Sequence, residues 1–592
     1  METLSKLRNI MKAQGIDAYI VTGADAHGSD YVTDYWKTRA WLTGFTGSAG
    51  MVVVTQDKAG LWTDGRYFLQ AEKELTGTGF TLYKMEEPNV PTYQQFLKDE
   101  VPAGGRVAFD GRTLPLQSYE TIRKQLKEKD AAYECALDLV GNMWSDRPAM
   151  PQQPAFAHEI KFAGLSAGEK LASVRTEMKK KEIGGYLVTA LDDIAWLLNI
   201  RGNDVPFTPV VYAYAFITHA QAHVFVDPDK VRGIPLPDFT LHPYEGFINF
   251  LRNLQPKDVN GGKLYINANK ANMLINETLP KSIPVNRNVN DDILPLMKAK
   301  KSDGELANIR NAYKKEGVVL VRLLMWLEAQ LAAAGELTLH EGDITCKLRD
   351  LRSTMPDYIQ DSFSTIAAYG ANAASAHYSP GEQGAKIERD GLLLIDTGGN
   401  YMDGTTDTTR TIPVGALTDE MRRDYTLVLK GHIALAVAQF PEGTTGSQID
   451  VLARLPLWLD GKNFRHGTGH GIGYALCVHE GPHNIAHRHN AVALTKGMLV
   501  SNEPGMYKDN HYGIRTENIL CVKELEKTEY GQFYGFESLT FCPINICALD
   551  RALLTDTERT YLNAYHKATY NALAPMLTPE EQTWLKSATQ EV

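Results

Sequence analysis

The chain has 592 residues, 43% of them hydrophobic and 22% charged, and a formal net charge of −10; the length exceeds one compact core, and the balance is that of a folded globular protein rather than a disordered one. Lysines and arginines are scattered rather than gathered into a stripe, which argues against a nucleic-acid groove or an anionic membrane surface as partner. No stretch approaches a membrane span, and the opening METLSKLRNIMKAQG carries charges at helical spacing where a signal peptide would have an apolar core.

Residues 5–12 have helical spacing and Gly15 hands over to IDAYIVT, a β-rich run, so the chain opens as helix then strand. WLTGFTGSAGMVVVT and GLWTDGRYF read as short strands separated by glycine turns, and helical patterning returns over 116–129. Proline accumulates in DRPAMPQQPAF and marks a linker. Beyond it the opening pattern recurs: Ser166 and Glu169 have capping-box spacing ahead of a helix to residue 181, and YLVTALDDIAWLLNIRG follows. The YIVT at 19–22 corresponds to YLVT at 186–189, Trp41-Leu42 to Trp196-Leu197, and the strand ending at Asp64 to HVFVD ending at Asp227. That preserved order predicts two related α/β domains, 1–150 and 151–300, from a duplication. The glycines at 44–50 and Asp64-Gly65-Arg66 lack a GxGxxG or a Walker lysine and read as turns, with Arg66 and Arg201 as structural ion-pair partners. The short basic runs at 179–181 and 298–301 read as a solvated helix face and a linker.

A third domain is expected over 301–540. Ser302 with Glu305, and Thr338 with Glu341, have capping-box spacing, so two helices precede its strands. In LLLIDTGG an apolar run ends on Asp396 and turns through 398–400 toward GTTDTTRT, where Asp407 shares a strand face with Thr409 and Thr411. Asp403-Gly404 is a turn. HGTGHGIG, residues 466–473, sets His466 and His470 among glycines. Downstream, MLVSNEPG ends a strand on Glu503, and GIRTENILCV places Arg515 and Glu517 on one face, where Arg515 is suited to orienting a metal-bound carboxylate. From 541 a C-terminal extension runs to 592, helical over 556–577, suited to covering a hydrophobic face or to dimer formation.

Four carboxylates brought together would repel one another until some protonate, and two divalent cations cancel that charge. One imidazole among four acids is a hard, oxygen-rich donor set, so manganese or cobalt is expected, with zinc a further candidate. Two ions sharing a water lower its pKa toward neutrality. Of the remaining histidines, His377 in ASAHYSP suits a loop lining a cleft, and His479 follows His470 by nine residues. His483, His487 and His489 read as a solvated loop. Cys477 reads as a small buried residue rather than a nucleophile, and the six dispersed cysteines, without a CxxC, suit a reducing cytoplasm.

The strings WTDGRYFLQA, ALDDIAWLLNIRG, HYSP, IDTGGNYMDGTTDTTRT, HGTGHGIG, VHEGP, NEPG and GIRTEN resemble, in order and over nearly the whole chain, the long three-domain aminopeptidase P (Xaa-Pro aminopeptidase) family of pita-bread metallopeptidases. The resemblance implies a mixed α/β (α+β) architecture of two creatinase-type N-terminal domains, a pita-bread catalytic domain and an extension packed on it. It implies Asp396, Asp407, His470, Glu503 and Glu517 as ligands of two manganese ions, with Asp407 and Glu517 bridging. His377 and His479 would bind substrate, His466 would shape the pocket, Glu503 would take a proton from the attacking water, and Arg515 and Tyr507 would support. The implied reaction removes the first residue from peptides with proline second, in a cytoplasmic homodimer. A prolidase acting on dipeptides shares the ligands, and a non-catalytic binding module of the same fold would have lost one. The sequence departs from relatives at Asn502, where an acid often stands, and in the histidine-rich loop after Pro482.

Overall fold

The computed structural model describes residues 2–592, which form two compact units that meet at the Pro295/Leu296 peptide. The first unit contains two six-stranded sheets. One is built from β1 (Ala18–Thr22), β2 (Met51–Thr55), β3 (Ala59–Thr63), β4 (Thr81–Lys84), β5 (Arg106–Phe109) and β6 (Ala132–Glu134), in the order β4-β3-β2-β1-β5-β6. The other uses β7 (Ile183–Val188), β8 (Ala213–Thr218), β9 (Ala222–Val226), β10 (Thr240–His242), β11 (Lys263–Ile266) and β12 (Val285–Asn286), in the order β10-β9-β8-β7-β11-β12.

Strand for strand the two sheets share one plan. β1 and β7 each pair antiparallel on one side and parallel on the other. The 19–22 and 186–189 matches therefore fall on equivalent central strands, and Asp64 and Asp227 each follow the equivalent strands β3 and β9. Both central strands are buried along their whole length, as apolar runs covered on two faces should be. Helix Glu2–Ala13 supplies Leu4, Leu7 and Met11 to the cover, and helix Ala167–Lys180 supplies Leu171, Val174 and Met178. The Ser166–Glu169 capping box forms in both directions, a cap worth about 1 kcal/mol. Trp41-Leu42 departs from expectation: it lies in a six-residue helix, Thr38–Thr43, stopped by Gly44 at φ 78°, too short for its period to register. Trp196-Leu197 is helical too, in Leu191–Leu198. Arg66 pairs with Asp64 at 2.8 Å.

The second unit opens with the thirty-residue helix Asp303–Ala332, capped by Ser302 and Glu305 as expected. The next helix, Glu341–Ser353, starts differently. Its cap is His340 boxed with Asp343, because Ile387 bonds to the Leu339 carbonyl and His340 bridges Lys386, holding the chain extended to residue 340. Glu341 is thereby the first helical residue, and buried.

Three antiparallel strands follow, in the order β13-β14-β15: β13 (Ile366–Tyr369), β14 (Leu392–Thr397) and β15 (Thr408–Pro413). The glycines after Asp396 were expected to turn, yet Gly399–Tyr401 pairs with Tyr358–Asp361 in a neighbouring small sheet. A larger sheet then runs, from the short strand Phe440–Pro441, through β22 (Phe533–Ser538), β21 (Asn518–Glu524), β18 (Leu499–Asn502), β16 (Gly469–Gly471) and β17 (Glu480–Ile485). The hairpin β19 (Gly505–Lys508) and β20 (Tyr512–Arg515) stands apart from it. Arg515 and Glu517 are thus not on one strand: the chain leaves the hairpin at Thr516 and re-enters the larger sheet at Asn518.

Helices Asp419–Ala436 and Gly446–Trp458 lie between the two strand sets and packed on each other; the first buries a nearly continuous run from Asp424 to Leu429, which blurs its period, and the second carries Pro456 inside it. The C-terminal helix Asp556–Leu573 is followed by a second, Pro579–Ala588, beyond the expected limit. The basic run at 298–301 is not a plain linker: Lys298 lies in the helix Leu294–Ala299, and of its three lysines only Lys300 is exposed. Lys298 and Lys301 are buried, 3% and 5% exposed, and both point at the buried carboxylate of Glu480.

Candidate metal centre

The acids come from strand ends. Asp396 sits near the end of β14 opposite Thr409, Asp407 just before β15, Glu503 just after β18, and Glu517 just before β21. His470 lies at the middle of β16. Carboxylate oxygens of Asp407 and Glu517 and a ring nitrogen of His470 lie within 4.8 Å of one another. His470 Nε2 is 3.5 Å from Asp407 Oδ2 and 3.6 Å from Glu503 Oε1. Its other nitrogen, Nδ1, is 2.9 Å from the Gly471 carbonyl. A carbonyl only accepts, so Nδ1 carries the proton and the Nε2 lone pair faces the acids, the tautomer a metal ligand requires.

Asp396 is reached through Arg515, whose Nη2 donates to Oδ2 at 2.6 Å, while the buried Oδ1 of Asp396 has no hydrogen-bond partner. Arg515 also donates through Nε to Thr409 Oγ1 at 3.1 Å and through Nη1 to Tyr507 OH at 2.6 Å. Thr409 Oγ1 donates in turn to Glu517 Oε2 at 2.8 Å, and Tyr507 meets His466 Nε2 at 2.8 Å. One guanidinium therefore orients two carboxylates, one directly and one through a hydroxyl. Arg410 holds the Glu517 carbonyl at 2.6 Å, and Tyr565 from the C-terminal helix holds Arg410 at 2.8 Å.

Electrostatics point the same way. Burial pushes Asp396, Glu503 and Glu517 upward, and the neighbouring Asp407 charge adds to it in each; Glu503 reaches about 7 and Glu517 stands well above the usual carboxylate range. His470, despite its burial, is raised to about 9 by the Asp407 bond and the Glu503 charge. Acids this crowded are short of positive charge; a divalent cation would supply it in place of a proton on His470 Nε2, and would give a partner to the Asp396 oxygen that has none among the described residues. The residues fit such an ion.

Among the other expected residues, the His479 ring lies edge-on to His470, centroids 4.5 Å apart. His466 Nε2 meets the Tyr507 hydroxyl at 2.8 Å. His377 is half-buried just after the turn Gly370–Ala374, which packs on β20, the strand of Arg515. Cys477 is buried. His483 departs from the solvated loop expected for it: it is buried in β17 with Nε2 at 2.7 Å from the Leu499 carbonyl, and burial lowers it to about 4. His487 and His489 are exposed. Asn502 donates to the His432 carbonyl at 2.8 Å, away from the acids.

Four groups went unmarked in the sequence. Thr409 had a signal, its two-residue spacing from Asp407; Ser501, which bonds the His470 amide and Glu503, had none. Lys301 and Glu480 lie 179 residues apart, and no local pattern relates them.

The sequence profile of Metallopeptidase family M24 matches residues 307–524, profiles of the Creatinase/Prolidase N-terminal domain match 4–136 and 146–305, and the C-terminal region of peptidase_M24 matches 532–592. The chain belongs to metallopeptidase family M24. Within it, the chain is 39% identical over 599 residues to a probable Xaa-Pro aminopeptidase P of Laccaria bicolor, spanning 99% of this chain and 92% of that one. It is 37% identical to aminopeptidase P2 of Arabidopsis thaliana, over 100% and 88%. A crystal structure of X-prolyl aminopeptidase from Caenorhabditis elegans, described as a cytosolic enzyme with a di-nuclear active site, superposes with a TM-score of 0.94 at 33% identity, covering 100% of this chain and 99% of that one.

Proposed function

We propose that the protein is a metal-dependent Xaa-Pro aminopeptidase that hydrolyses the bond between the first residue of a peptide and a proline in second place. The observation that carries this reading is the convergence of Asp407, His470 and Glu517 beside an Arg515-bound Asp396, in a chain with full-length similarity to proteins of that name. Asp396, Asp407, His470, Glu503 and Glu517 would hold two divalent ions, with Asp407 and Glu517 shared, and the oxygen-rich set favours manganese. When bound, such ions supply Lewis-acid polarisation of the scissile carbonyl and of water. Glu503, the most accessible of the acids, takes the proton of the attacking water. His377 and His479 bind the peptide and donate to the oxygen that gains charge. His466 fixes the hydroxyl of Tyr507, and Tyr507 fixes Arg515.

The test is a panel of Xaa-Pro-Yaa tripeptides, Xaa-Ala-Yaa controls and Xaa-Pro dipeptides with added manganese. Release of the first residue is expected from the proline tripeptides, and its loss with a chelator and in Glu503→Ala and His470→Ala. Undiminished turnover by either variant, or cleavage confined to the dipeptides, overturns the reading.

We place the protein in the cytoplasm, in keeping with its six free cysteines. A second copy is its proposed partner. Val451, Leu455, Trp458 and Leu459 expose an apolar stripe on and just after helix Gly446–Trp458, with Leu459 82% exposed. Light scattering should give a dimer mass for the parent and a monomer mass for Leu455→Glu/Leu459→Glu.

A further inference from the structure

Resting on that reading of the site, we infer that Glu341 is a positioning residue for His377: its buried carboxylate fastens the segment from Tyr369 to Ala385, which carries His377, to the first turn of the helix Glu341–Ser353. Glu341 is fully buried, far from the cluster of acids in sequence, and no step of the reaction uses it. Oε1 accepts from the Tyr369 amide at 2.7 Å and from Asn372 Nδ2 at 2.9 Å. Oε2 accepts from Tyr378 OH and from the Ala385 amide, each at 2.7 Å. Asn372 also donates to Tyr378 OH at 3.0 Å, closing a ring around the carboxylate.

The donors are spread along the segment in a telling way. Tyr369 ends β13, the neighbour of the Asp396 strand, so the segment leaves the sheet at the carboxylate; Ala385 returns to it, and Glu341 N bonds back to the Ala385 carbonyl at 3.0 Å. Asn372 and Tyr378 bracket His377 between them. Outside the turn Gly370–Ala374 the segment has no regular structure; apart from that turn's packing and the Gly342 amide on the Gln383 carbonyl at 2.8 Å, ordering the stretch that carries His377 draws on these bonds. The same turn rests on β20, whose Arg515 bonds Asp396. A histidine that is to bind the peptide from a segment of this kind needs such a support.

Glutamine cannot replace this carboxylate. Its amide keeps one accepting oxygen and turns two N–H groups toward donors that already occupy the other side. Glu341→Gln is expected to lower kcat/KM on an Xaa-Pro-Yaa tripeptide by about 10- to 100-fold, with manganese content unchanged. Amide exchange should quicken over residues 369–386 and not elsewhere in the second unit. Tyr378→Phe and Asn372→Ala, which each remove one donor and keep the helix start, should lose about 3- to 10-fold. They carry the test if Glu341→Gln does not fold. Adding Glu341→Gln to His377→Ala should cost nothing further, because the lost function is already the histidine's. The proposal is overturned if Glu341→Gln stays within twofold of the parent, if the two losses multiply, or if exchange rises throughout the unit with loss of manganese. A His377→Ala variant with full activity would instead sink the assignment of His377, and the proposal with it.

Discussion

Arg515 is the side chain on which the candidate centre most depends. It spends its donors on Asp396, Thr409 and Tyr507, so Arg515→Met should free Asp396 to rotate and deprive Thr409, the donor to the Glu517 carboxylate, of its own anchor. The expected result is manganese affinity weaker by about 10- to 100-fold, measured by calorimetric titration, with kcat/KM recovering in part at high manganese. A second residue-scale effect concerns acid. His432 is fully buried, and burial together with the Arg410 charge presses it down to about 3. Below its ordinary value of about 6.5 the unfolded chain takes up a proton that the folded chain refuses. The stability His432 gives by staying neutral is therefore whole above pH 6.5 and is lost as pH falls toward 3, by at most about 1.4 kcal/mol per pH unit. The gap between thermal midpoints at pH 7 and pH 5 should narrow in His432→Asn. What made the candidate acids legible in the sequence was chemistry at strand ends: an acid after LLLI or MLVSN has few bland explanations. Lys301 and Ser501 gave no such sign, because their partners are set by tertiary contact alone.

At the scale of elements, Gly469 and Gly471 of HGTGHGIG belong to the strand β16. A Cβ on Gly469 would stand 1.8 Å from the Ser501 carbonyl oxygen, and one on Gly471 2.2 Å from that of Glu480. Both obstacles are backbone and cannot step aside. Gly467 is different: its nearest neighbours would be 3.4 Å away. Gly469→Ala should push β16 off β18, costing about 3 kcal/mol or more, with His470 displaced and activity gone, whereas Gly467→Ala should keep activity and thermal midpoint near the parent's. Periodicity and caps located the duplicated strands and the Ser166 and Ser302 helix starts, since those signals are local. They misplaced the start at Thr338, where pairing of Leu339 with Ile387 overrides the spacing, and passed over Asp419–Ala436, whose all-round burial leaves little amphipathic contrast. GIRTEN was legible as β-rich but not as the crossing between two sheets, which only the pairing of Gly505 with Arg515 and of Asn502 with Asn518 defines.

Across the whole molecule, one plan appears twice in the first unit, and the second unit gathers the chemistry. The C-terminal helices belong to that chemistry indirectly, since Tyr565 holds Arg410 and Arg410 holds the Glu517 backbone. A different long-range tie governs where the polypeptide can be divided. The helix that opens the second unit begins at Asp303, which invites a cut there, but Lys298 and Lys301 lie upstream of it and neutralise a Glu480 that has no water to turn to. A fragment starting at 303 loses both ammonium partners of that buried carboxylate, at a cost of about 3–5 kcal/mol, whereas one starting at 296 keeps them. Soluble yield and the midpoint of thermal melting should separate the two fragments clearly. For anyone trimming this protein, the boundary is drawn by two cations, seven residues ahead of where the helix would suggest.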